Sequence, residues 1–388
     1  MKKRLGRIHV RRSTALQRIV YFSVLPASLL VGGCPFSPGS MVTLDAEGAG
    51  ITNAPLGTLE LAAARRTFPA DSAMFAAQAI FDEIDGKAGS HAPSIVALAR
   101  GERLAAWYSY SGPRELTGAD LYTARWTPDA GTWSPPRRVV DRAQAVGNPV
   151  LHVEGERVLL FYAVIPGGWS TAHIEWQESQ DAGETWSAPR VLSEQLGSNV
   201  RYPPIRLQSG SLVLPAYDDL LQHAVLFESK DEGESWQEAA RIDTTLPAKL
   251  IQPSIVENAD GTLLLVGRNT ATGKLWTGMS PDGGTSWTIS RDSGFPNPGA
   301  PAALARLSSG NLLLVWNDDA ALRRPLVAAL SFDGGRTWSS PRVLANGLGS
   351  YSYPSVAQAD DGSVHVVYSD DRLRISHVEF NEAWLLAE

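Results

Sequence analysis

Short apolar segments recur along the chain, each preceded by a proline and followed by a glycine turn and a second apolar segment. One copy reads Pro93-Ser-Ile-Val, then Gly101, then Leu-Ala-Ala-Trp-Tyr108. Apolar segments this short, bounded by Pro and Gly, predict β-strands rather than helices. The prolines that open the six copies, 48 to 56 residues apart, are Pro93, Pro149, Pro204, Pro253, Pro301 and Pro354. Each copy therefore predicts one hairpin of a repeated unit.

A second motif lies between these hairpins and reads Ser179-Gln-Asp-Ala-Gly-Glu-Thr-Trp186 in its first full copy. The equivalent aspartates are Asp181, Asp231, Asp282 and Asp333, and a shortened copy surrounds Asp129. An Asp side chain can accept hydrogen bonds from nearby backbone N–H groups, Gly permits positive φ, and Trp supplies a large apolar plug. One chemical group repeated across the chain is not one active site, so we interpret these boxes as structural turns between two strands.

Two strands around each glycine turn and two around each box make a unit of about 50 residues with four strands, which is typical of a propeller blade. The sixth copy, from Pro354 to about Phe380, has no box and lacks a fourth strand. Residues 73–81 are the candidate to supply it and to close the ring. The sequence therefore predicts an all-β fold over residues 71–388, a six-bladed β-propeller of four-stranded antiparallel blades.

The amino-terminal segment has the layout of an export signal. Residues 1–33 carry seven Lys and Arg residues and no acid, and an apolar run at 19–31 is too short to span a bilayer. Val31-Gly-Gly-Cys34 resembles the lipobox of bacterial lipoproteins, which predicts a lipidated Cys34, a tether at 34–70 and a lipid-anchored protein of the bacterial cell envelope. An ordinary signal peptide with an incidental cysteine is the alternative. The predicted membrane contact is through the lipid anchor alone.

Composition and charge exclude several classes of protein and site. Hydrophobic residues at 44% and charged residues at 19% exclude a wholly disordered chain. Without the seven cations of residues 1–33, 27 Lys and Arg face 41 Asp and Glu, so the body is acidic and nucleic acid is not the expected partner. One cysteine excludes a disulfide framework, and no histidines have ligand spacing. No dinucleotide or phosphate-loop motif occurs, so we expect neither metal nor cofactor.

Blade topology indicates where a site would lie. The glycine turns and the boxes share one face of a propeller, so residues just before the first strand and just after the second strand of each blade share the opposite face. These positions hold mostly polar or large residues, among them Asn148, Arg201, Gln252 and Tyr353. We expect them to converge on the mouth of the central channel. Solvated turn residues are the alternative reading for any single Asp or Asn.

The boxes, the repeat number and the apolar strands together resemble the sialidase (neuraminidase) superfamily. The resemblance implies a six-bladed propeller in which three arginines clamp a sialic acid carboxylate, an Asp is acid/base, and a Tyr nucleophile is assisted by a Glu. Arg268 matches the second arginine, and Arg323 or Arg324 matches the third. Tyr353 matches the nucleophile, with Tyr351 as a possible substitute.

Three positions depart from that pattern. His91 stands where the resemblance implies the first arginine, and Gln252 stands where it implies the Glu. In the loop of the acid/base, Glu115 fits the spacing better than Asp120. A neutral Gln can orient a tyrosine hydroxyl but cannot take its proton. We also expect Asp120 and Arg201 to contribute to substrate binding.

Three functions follow from these residues. The leading hypothesis is a sialidase-like exo-glycoside hydrolase that acts on an acidic sugar, sialic acid or a related one, at the cell envelope. A second is a uronate polysaccharide lyase in which His91 or Tyr353 abstracts a proton. A third is a non-catalytic, lipid-anchored propeller that binds glycan or protein, which the two departures at His91 and Gln252 favour. The expected partner in the first two cases is an acidic carbohydrate.

Overall fold

A computed structural model describes residues 41–43, 73–140, 142–243, 249–290 and 293–387. The predicted signal peptide at 1–33, the lipidation site Cys34 and most of the predicted tether lie outside the described residues. Among the residues described, no helix combines the length and apolar character needed to cross a bilayer.

The described chain is built almost entirely of β-strands. The first half contains β1 (Met41–Thr43), β2 (Phe75–Ala79), β3 (Gly89–Ala97), β4 (Arg103–Tyr110), β5 (Asp120–Trp126), β6 (Arg137–Val140), β7 (Ala145–Glu154), β8 (Arg157–Ile165), β9 (His173–Ser179), β10 (Arg190–Ser193), β11 (Ser198–Val200), β12 (Ile205–Arg206) and β13 (Leu212–Asp218). The second half contains β14 (His223–Ser229), β15 (Gln237–Asp243), β16 (Leu250–Glu257), β17 (Leu263–Asn269), β18 (Trp276–Ser280), β19 (Thr288–Ser290), β20 (Ala303–Arg306), β21 (Leu312–Asn317), β22 (Leu326–Ser331), β23 (Arg342–Ala345), β24 (Tyr351–Gln358), β25 (Val364–Asp370) and β26 (Arg374–Phe380). Helical structure is limited to 3₁₀ turns at Ala99–Gly101 and Trp169–Thr171 and to α1 (Glu382–Leu386).

These strands form six sheets in which the strands of each blade pair antiparallel, so the predicted six-bladed propeller is confirmed. In chain order, blade I is β3–β6, blade II is β7–β10, blade III is β11–β15, blade IV is β16–β19, blade V is β20–β23, and blade VI is β24, β25, β26 and β2. The innermost strands contact one another in sequence around the ring, and β24 of blade VI returns to β3 of blade I.

The ring closes as the sequence predicts. Strand β2 pairs antiparallel with β26, in register from Phe75 opposite Phe380 to Ala79 opposite Ser376. The fourth strand of the last blade therefore comes from the amino-terminal end of the propeller. It takes the place of the outer strand that follows a box in the other blades. Closure pairs strand edges that would otherwise be free.

Blade III departs from the regular pattern at both edges. Its innermost strand is split into β11 and β12, which both pair with β13, because Pro203 and Pro204 between them cannot donate ladder hydrogen bonds. At its outer edge, β1 runs parallel to β15, with Met41 opposite Arg241. Strand β1, Met41–Thr43, lies inside the range predicted to be a tether.

Each full box is the turn between the third and fourth strands of its blade, as predicted. In the first, Asp181 Oδ1 accepts from the backbone N–H of Thr185 at 2.7 Å and from Ser179 Oγ at 2.7 Å, and Oδ2 accepts from Thr185 Oγ1. The other three aspartates repeat the pattern. Gly183 has φ 93°, and a Cβ there would lie 2.5 Å from Leu104 Cδ2 of the preceding blade. The box therefore shapes its own turn and packs against the neighbouring blade.

Candidate functional site

Four innermost strands contain the same irregularity, at the residue before their proline. Pairing with the second strand shifts there, and the residues concerned have positive φ: Ala92 (50°), Asn148 (49°), Gln252 (52°) and Tyr353 (59°). Positive φ is uncommon for residues other than glycine, and β-bulges next to functional sites re-aim side chains. Three of these four residues, Asn148, Gln252 and Tyr353, line one pocket.

The pocket has a volume of about 370 Å³ and opens on the face opposite the boxes. It is lined by Tyr108, Glu115, Asn148, Trp169, Tyr217, Asp219, Gln222, Lys249, Ile251, Gln252, Arg268, Thr270, Arg323, Tyr353 and Arg372. All six blades contribute, so the pocket exists only because the ring brings distant loops together. Its position agrees with the face predicted from blade topology.

Tyr353 lies at the base of the pocket and is 8% exposed. Arg268 Nη1 donates to its Oη at 3.3 Å, and the guanidinium carbon of Arg323 lies 5.5 Å from the centroid of its ring. Burial raises the pKa of this phenol, but the charges of Arg268 and Arg323 lower it, and the net result is a pKa below the ordinary value of about 10. The charges of the two arginines therefore favour the ionised form of Tyr353. The sequence alone suggested a phenol without such assistance.

Gln252 lies beside this pair, at the position where the resemblance implies a Glu. Its Oε1 accepts from Arg268 Nη1 at 3.2 Å, and its Nε2 donates to Tyr217 Oη at 3.4 Å. Asn148 Nδ2 donates to the same Tyr217 hydroxyl at 3.1 Å. The amide therefore links Arg268 to Tyr217, orienting the guanidinium without neutralising its charge.

Glu115 lies on the opposite side of the pocket in an ion pair. Arg372 Nη1 donates to its Oε2 at 2.7 Å, and the hydroxyl of Tyr108 donates to its Oε1. Burial, with the Glu115 charge beside it, raises the pKa of Tyr108 well above its ordinary value, so this phenol stays protonated and acts as a donor. Arg372 was not among the predicted site residues.

The charges of the pocket suit an anionic ligand. Arg268, Arg323, Arg372 and Lys249 supply four cations, whereas Glu115 and Asp219 are the carboxylates among the lining residues. Burial raises the pKa of Asp219 above its ordinary value. A cationic concavity on an acidic protein concentrates anions, and guanidinium groups match a carboxylate in charge and in shape.

Comparison with known proteins agrees with this geometry. Residues 101–366 match the BNR repeat-like domain. The chain belongs to this family. A sialidase of Bacteroides fragilis is 26% identical to it over 232 residues, which are 54% of the chain and 41% of that relative, so the chain spans less than half the length of this curated relative.

Two solved structures share the fold of this BNR repeat protein. The Hadza microbial sialidase Hz136 is 21% identical, with a TM-score of 0.68 over 77% of this chain and 67% of that one. The intramolecular trans-sialidase of Ruminococcus gnavus, in complex with oseltamivir carboxylate, is 16% identical, with a TM-score of 0.66 over 78% of this chain and 96% of that one. The predicted resemblance to the sialidase superfamily is thereby confirmed at the level of the fold.

His91 does not take the place of the missing arginine in this BNR repeat protein. It is fully buried with its ring 4.2 Å from that of Tyr353, and neither ring nitrogen has a hydrogen-bond partner. Burial and the nearby charges of Arg372, Arg323, Arg201 and Arg268 lower its pKa well below the ordinary value, so the imidazole is neutral. His91 is not among the residues that line the pocket, and Arg372 supplies the third guanidinium there.

Two predicted substrate-binding residues lie elsewhere. Arg201 is 1% exposed and donates to the carbonyl oxygens of Ala92 (3.1 Å), Pro93 (2.8 Å) and Tyr353 (2.8 Å), so it joins the inner strands of blades I and VI across the channel. Asp120 accepts from Lys87 Nζ at 2.6 Å and does not line the pocket. Neither Arg201 nor Asp120 is therefore among the residues that line the pocket.

In each of the two pairs of alternatives that the sequence leaves open, only one member lines the pocket among the described residues. Arg324 Nη1 donates to the carbonyl oxygens of Gly347 (3.2 Å) and Leu348, outside the pocket that Arg323 lines. Tyr351 packs against Tyr368, with ring centroids 6.1 Å apart, whereas Tyr353 lies at the pocket base. Tyr351 and Tyr353 are two residues apart, and the bulge at Tyr353, where the pairing of β24 with β25 shifts, sends their side chains to different places. The roles of Tyr353, Glu115, Arg268 and Arg323 stay predictions.

Sequence reasoning missed seven lining residues, namely Trp169, Tyr217, Gln222, Lys249, Ile251, Thr270 and Arg372. The signal for Arg372 was present, because it directly follows Asp370 and Asp371 at the end of the second strand of the last copy. Trp169 lies in the equivalent loop of blade II, and its ring meets that of Tyr108 with centroids 6.2 Å apart. The position of the loop therefore indicated the site. Within this loop, selection by residue type favoured Asp370 and Asp371 over Arg372.

Proposed function

We propose that this protein is a sialidase-like exo-glycoside hydrolase that releases an acidic sugar from the end of a glycan. The observation that carries the proposal is the buried Tyr353 phenol beside Arg268 and Arg323, in a pocket with a third guanidinium from Arg372. The family membership and the Bacteroides fragilis sialidase support the same reaction class.

In this proposal the arginines bind the carboxylate of the sugar. A bidentate guanidinium matches a carboxylate, and three of them around one pocket select an anionic ring over a neutral one. Tyr353 loses its proton to water, at a pKa that the charges of Arg268 and Arg323 lower. The phenolate oxygen then bonds to the anomeric carbon as the bond from that carbon to the leaving oxygen breaks.

Glu115 is the proposed acid/base. Its present partner, Arg372, is one of the groups that a substrate carboxylate would engage. Competition for Arg372 would free the Glu115 carboxylate to take a proton from water and to pass it to the leaving oxygen. In the second half of the reaction the same carboxylate would take a proton from water, and the water oxygen would replace Tyr353 at the anomeric carbon.

Turnover assays with matched tyrosine variants test the proposal. We expect the protein to release free sugar from a sialoside or a related acidic ketoside, and Tyr353→Phe to abolish release. Tyr351→Phe is the control, because Tyr351 lies outside the pocket and should retain activity. Release by Tyr353→Phe at the rate of the unchanged protein, or no turnover on any acidic glycoside, would contradict the proposal.

A non-catalytic, glycan-binding role is the second candidate, and Gln252 favours it. Among the described residues, no carboxylate is hydrogen-bonded to the Tyr353 hydroxyl, whose partner is Arg268. This candidate predicts that an acidic sugar protects the protein against thermal unfolding, that Tyr353→Phe binds the sugar with unchanged affinity, and that no product forms. Full burial of the His91 ring argues against it as the base of the lyase alternative. An unsaturated product that absorbs in the near ultraviolet would support the lyase.

We further propose that the protein is exported and anchored by an acyl chain on Cys34. The basic segment, the short apolar run and the single cysteine support this location. Metabolic labelling with a radioactive fatty acid should mark the protein and should not mark Cys34→Ala. Equal labelling of both would contradict the anchor.

A further inference from the structure

Exposed leucines are confined to one face of the propeller. Among the described residues, those more than a third exposed are Leu196 (59%), Leu220 (57%), Leu221 (53%), Leu322 (48%), Leu348 (97%) and Leu373 (64%). The other exposed large apolar residues are near β2 or on outer strands, for example Val191 at 50% and Val343 at 47%. Single exposed apolar residues are ordinary, but six leucines sharing one face are not.

All six leucines lie on loops of the pocket face. Leu196 and Leu348 lie between the last strand of one blade and the first strand of the next, and the other four lie between second and third strands. Leu220 and Leu221 stand between Asp219 and Gln222, which line the pocket. Leu322 precedes Arg323, and Leu373 follows Arg372. The same short loops therefore present one side chain to the pocket and another to the surroundings.

The leucines form two groups on opposite sides of the pocket. Leu196 lies close to Leu220, because a Cβ on the intervening Gly197 would fall 3.0 Å from Leu220 Cβ. Leu322 and Leu348 line one shallow depression together with Asp371. The first group belongs to blades II and III, and the second to blades V and VI. In a ring of six, blade III is opposite blade VI, so the pocket mouth lies between the two groups.

We propose that these six residues, the leucine rim, dock the pocket face onto a lipid bilayer with little net charge. A partner that covers both groups at once has to extend across the pocket mouth, which a planar surface does and the aglycone of a single sugar does not. Loop leucines gain free energy when their apolar surface leaves water at the headgroup boundary. An acidic body is repelled by anionic lipid, which favours a zwitterionic surface.

Docking would place the pocket mouth against the headgroups, where a sugar attached to a lipid would enter it. The substrate class would then be an acidic glycolipid, a conclusion that rests on the proposed function. The docking itself rests only on the positions and exposure of the leucines. The two ideas can therefore fail separately.

A single-cysteine probe tests docking. The chain has one cysteine, so the full chain with Cys34→Ser can carry one new cysteine at a chosen site, labelled with an environment-sensitive fluorophore. The sites are Leu348→Cys in one group, Leu221→Cys in the other, and Val343→Cys as a control on outer strand β23. With phosphatidylcholine vesicles we expect emission to shift to the blue and to intensify at both rim sites and to stay unchanged at Val343→Cys.

A quadruple variant measures the contribution of the rim. In the same Cys34→Ser background, Leu196→Ser, Leu221→Ser, Leu348→Ser and Leu373→Ser together should weaken vesicle partition by at least about tenfold, since each leucine loses apolar burial. The control carries Val191→Ser and Val343→Ser and should bind as before. Any contribution of residues 1–33 is common to all these proteins and cancels in the comparison.

Three outcomes would overturn the inference. Unchanged probe emission with vesicles would exclude docking, and a shift at one group alone would indicate a one-sided apolar ligand. A shift without vesicles that grows with protein concentration would indicate a second copy of the chain. Turnover of a soluble sialoside is measured beside these tests: docking without turnover refutes the proposed function alone, and turnover without docking refutes the leucine rim alone.

Discussion

Arg372 and Glu115 form an ion pair across the pocket at 2.7 Å, although 257 residues separate them in the chain. The arginine comes from blade VI and the glutamate from blade I, so the pair also spans the seam at which the ring closes. A substrate carboxylate would compete with Glu115 for this guanidinium. The pair thus connects substrate binding to the proposed acid/base.

We expect Arg372→Ala to raise KM for an acidic glycoside by about ten- to a hundredfold, because a hydrogen bond to a charged group contributes about 1.5–3 kcal/mol. Steady-state kinetics on a soluble sialoside measure the change. Arg114→Ala is the control, since Arg114 lies in the same loop as Glu115 but is exposed and outside the pocket. An unchanged KM in Arg372→Ala would remove this residue from carboxylate binding.

Ionisation of Tyr353 is expected below the ordinary range of a tyrosine. Phenolate absorbance, measured as the difference between the unchanged protein and Tyr353→Phe, should appear below pH 10. Removing one cation removes one cause of the lowered pKa, so Arg268→Met should move this ionisation to higher pH. If the titration of Tyr353 does not move in Arg268→Met, the arginine does not control the phenol.

Gln252→Glu places a carboxylate beside Arg268 and Tyr353. In the proposed reaction it can accept the phenolic proton, which the amide cannot, so we expect turnover at neutral pH to rise. Gln252→Ala is the control and should not show the rise, because it loses the contact to Arg268 without gaining a base. A fall in turnover with Gln252→Glu would mean that the positive charge around Tyr353 matters more than a local base.

Arg201 is expected to stabilise the fold instead of binding substrate. Arg201→Met leaves carbonyl oxygens at Ala92, Pro93 and Tyr353 without their donor in a buried channel. Unsatisfied buried polar groups cost about 1–3 kcal/mol each, so the free energy of unfolding should fall by about 3 kcal/mol or more. Denaturant unfolding measures this, with Arg324→Met as the control, since Arg324 contacts an exposed loop.

A buried histidine pair predicts acid sensitivity of blade VI. His365 Nδ1 and His377 Nε2 lie 3.1 Å apart, and burial, with the charge of Arg103, lowers the pKa of each to about 3. An unfolded chain protonates histidine near pH 6.5, so the free energy of unfolding should fall as pH drops from 6.5 towards 3.

The slope of that fall is at most about 1.4 kcal/mol per pH unit for each histidine. Unfolding measured between pH 8 and pH 4 should give a shallower dependence when His365→Gln and His377→Gln are combined. The two proteins should differ in slope and not only in stability at pH 8. Parallel curves over this range would show that other groups set the acid sensitivity.

Fold and site were predictable to different degrees, for physical reasons. Repeats and boxes specify the blades because their information is local: a proline, a glycine turn and an Asp bonded to its own loop. Gln252 and Tyr353 could be placed in the pocket for the same reason, since each precedes the proline of an inner strand and lies at a bulge.

The residues predicted for the site that lie outside the pocket, and those that were missed, depend on contacts between blades, which no local pattern encodes. Arg201 precedes a first strand like its counterparts, but Pro203 and Pro204 split that strand, and its side chain joins the inner strands of other blades. Arg372 reaches Glu115 through the geometry of the closed ring. His91 occupies the motif position of an arginine, yet packing beneath Tyr353 leaves it no path to a ligand.

Pairing between β2 and β26 has a consequence for when the protein can first act. Gln78 pairs with His377, so strand β2 has no partner until β26 has been synthesised. Until then the blades form an open arc and the pocket is incomplete. Glu115 is made 257 residues before Arg372, so the pocket is complete only after the last blade has been synthesised. Removing β2 or β26 would disrupt the pocket, although neither strand contributes a residue that lines it.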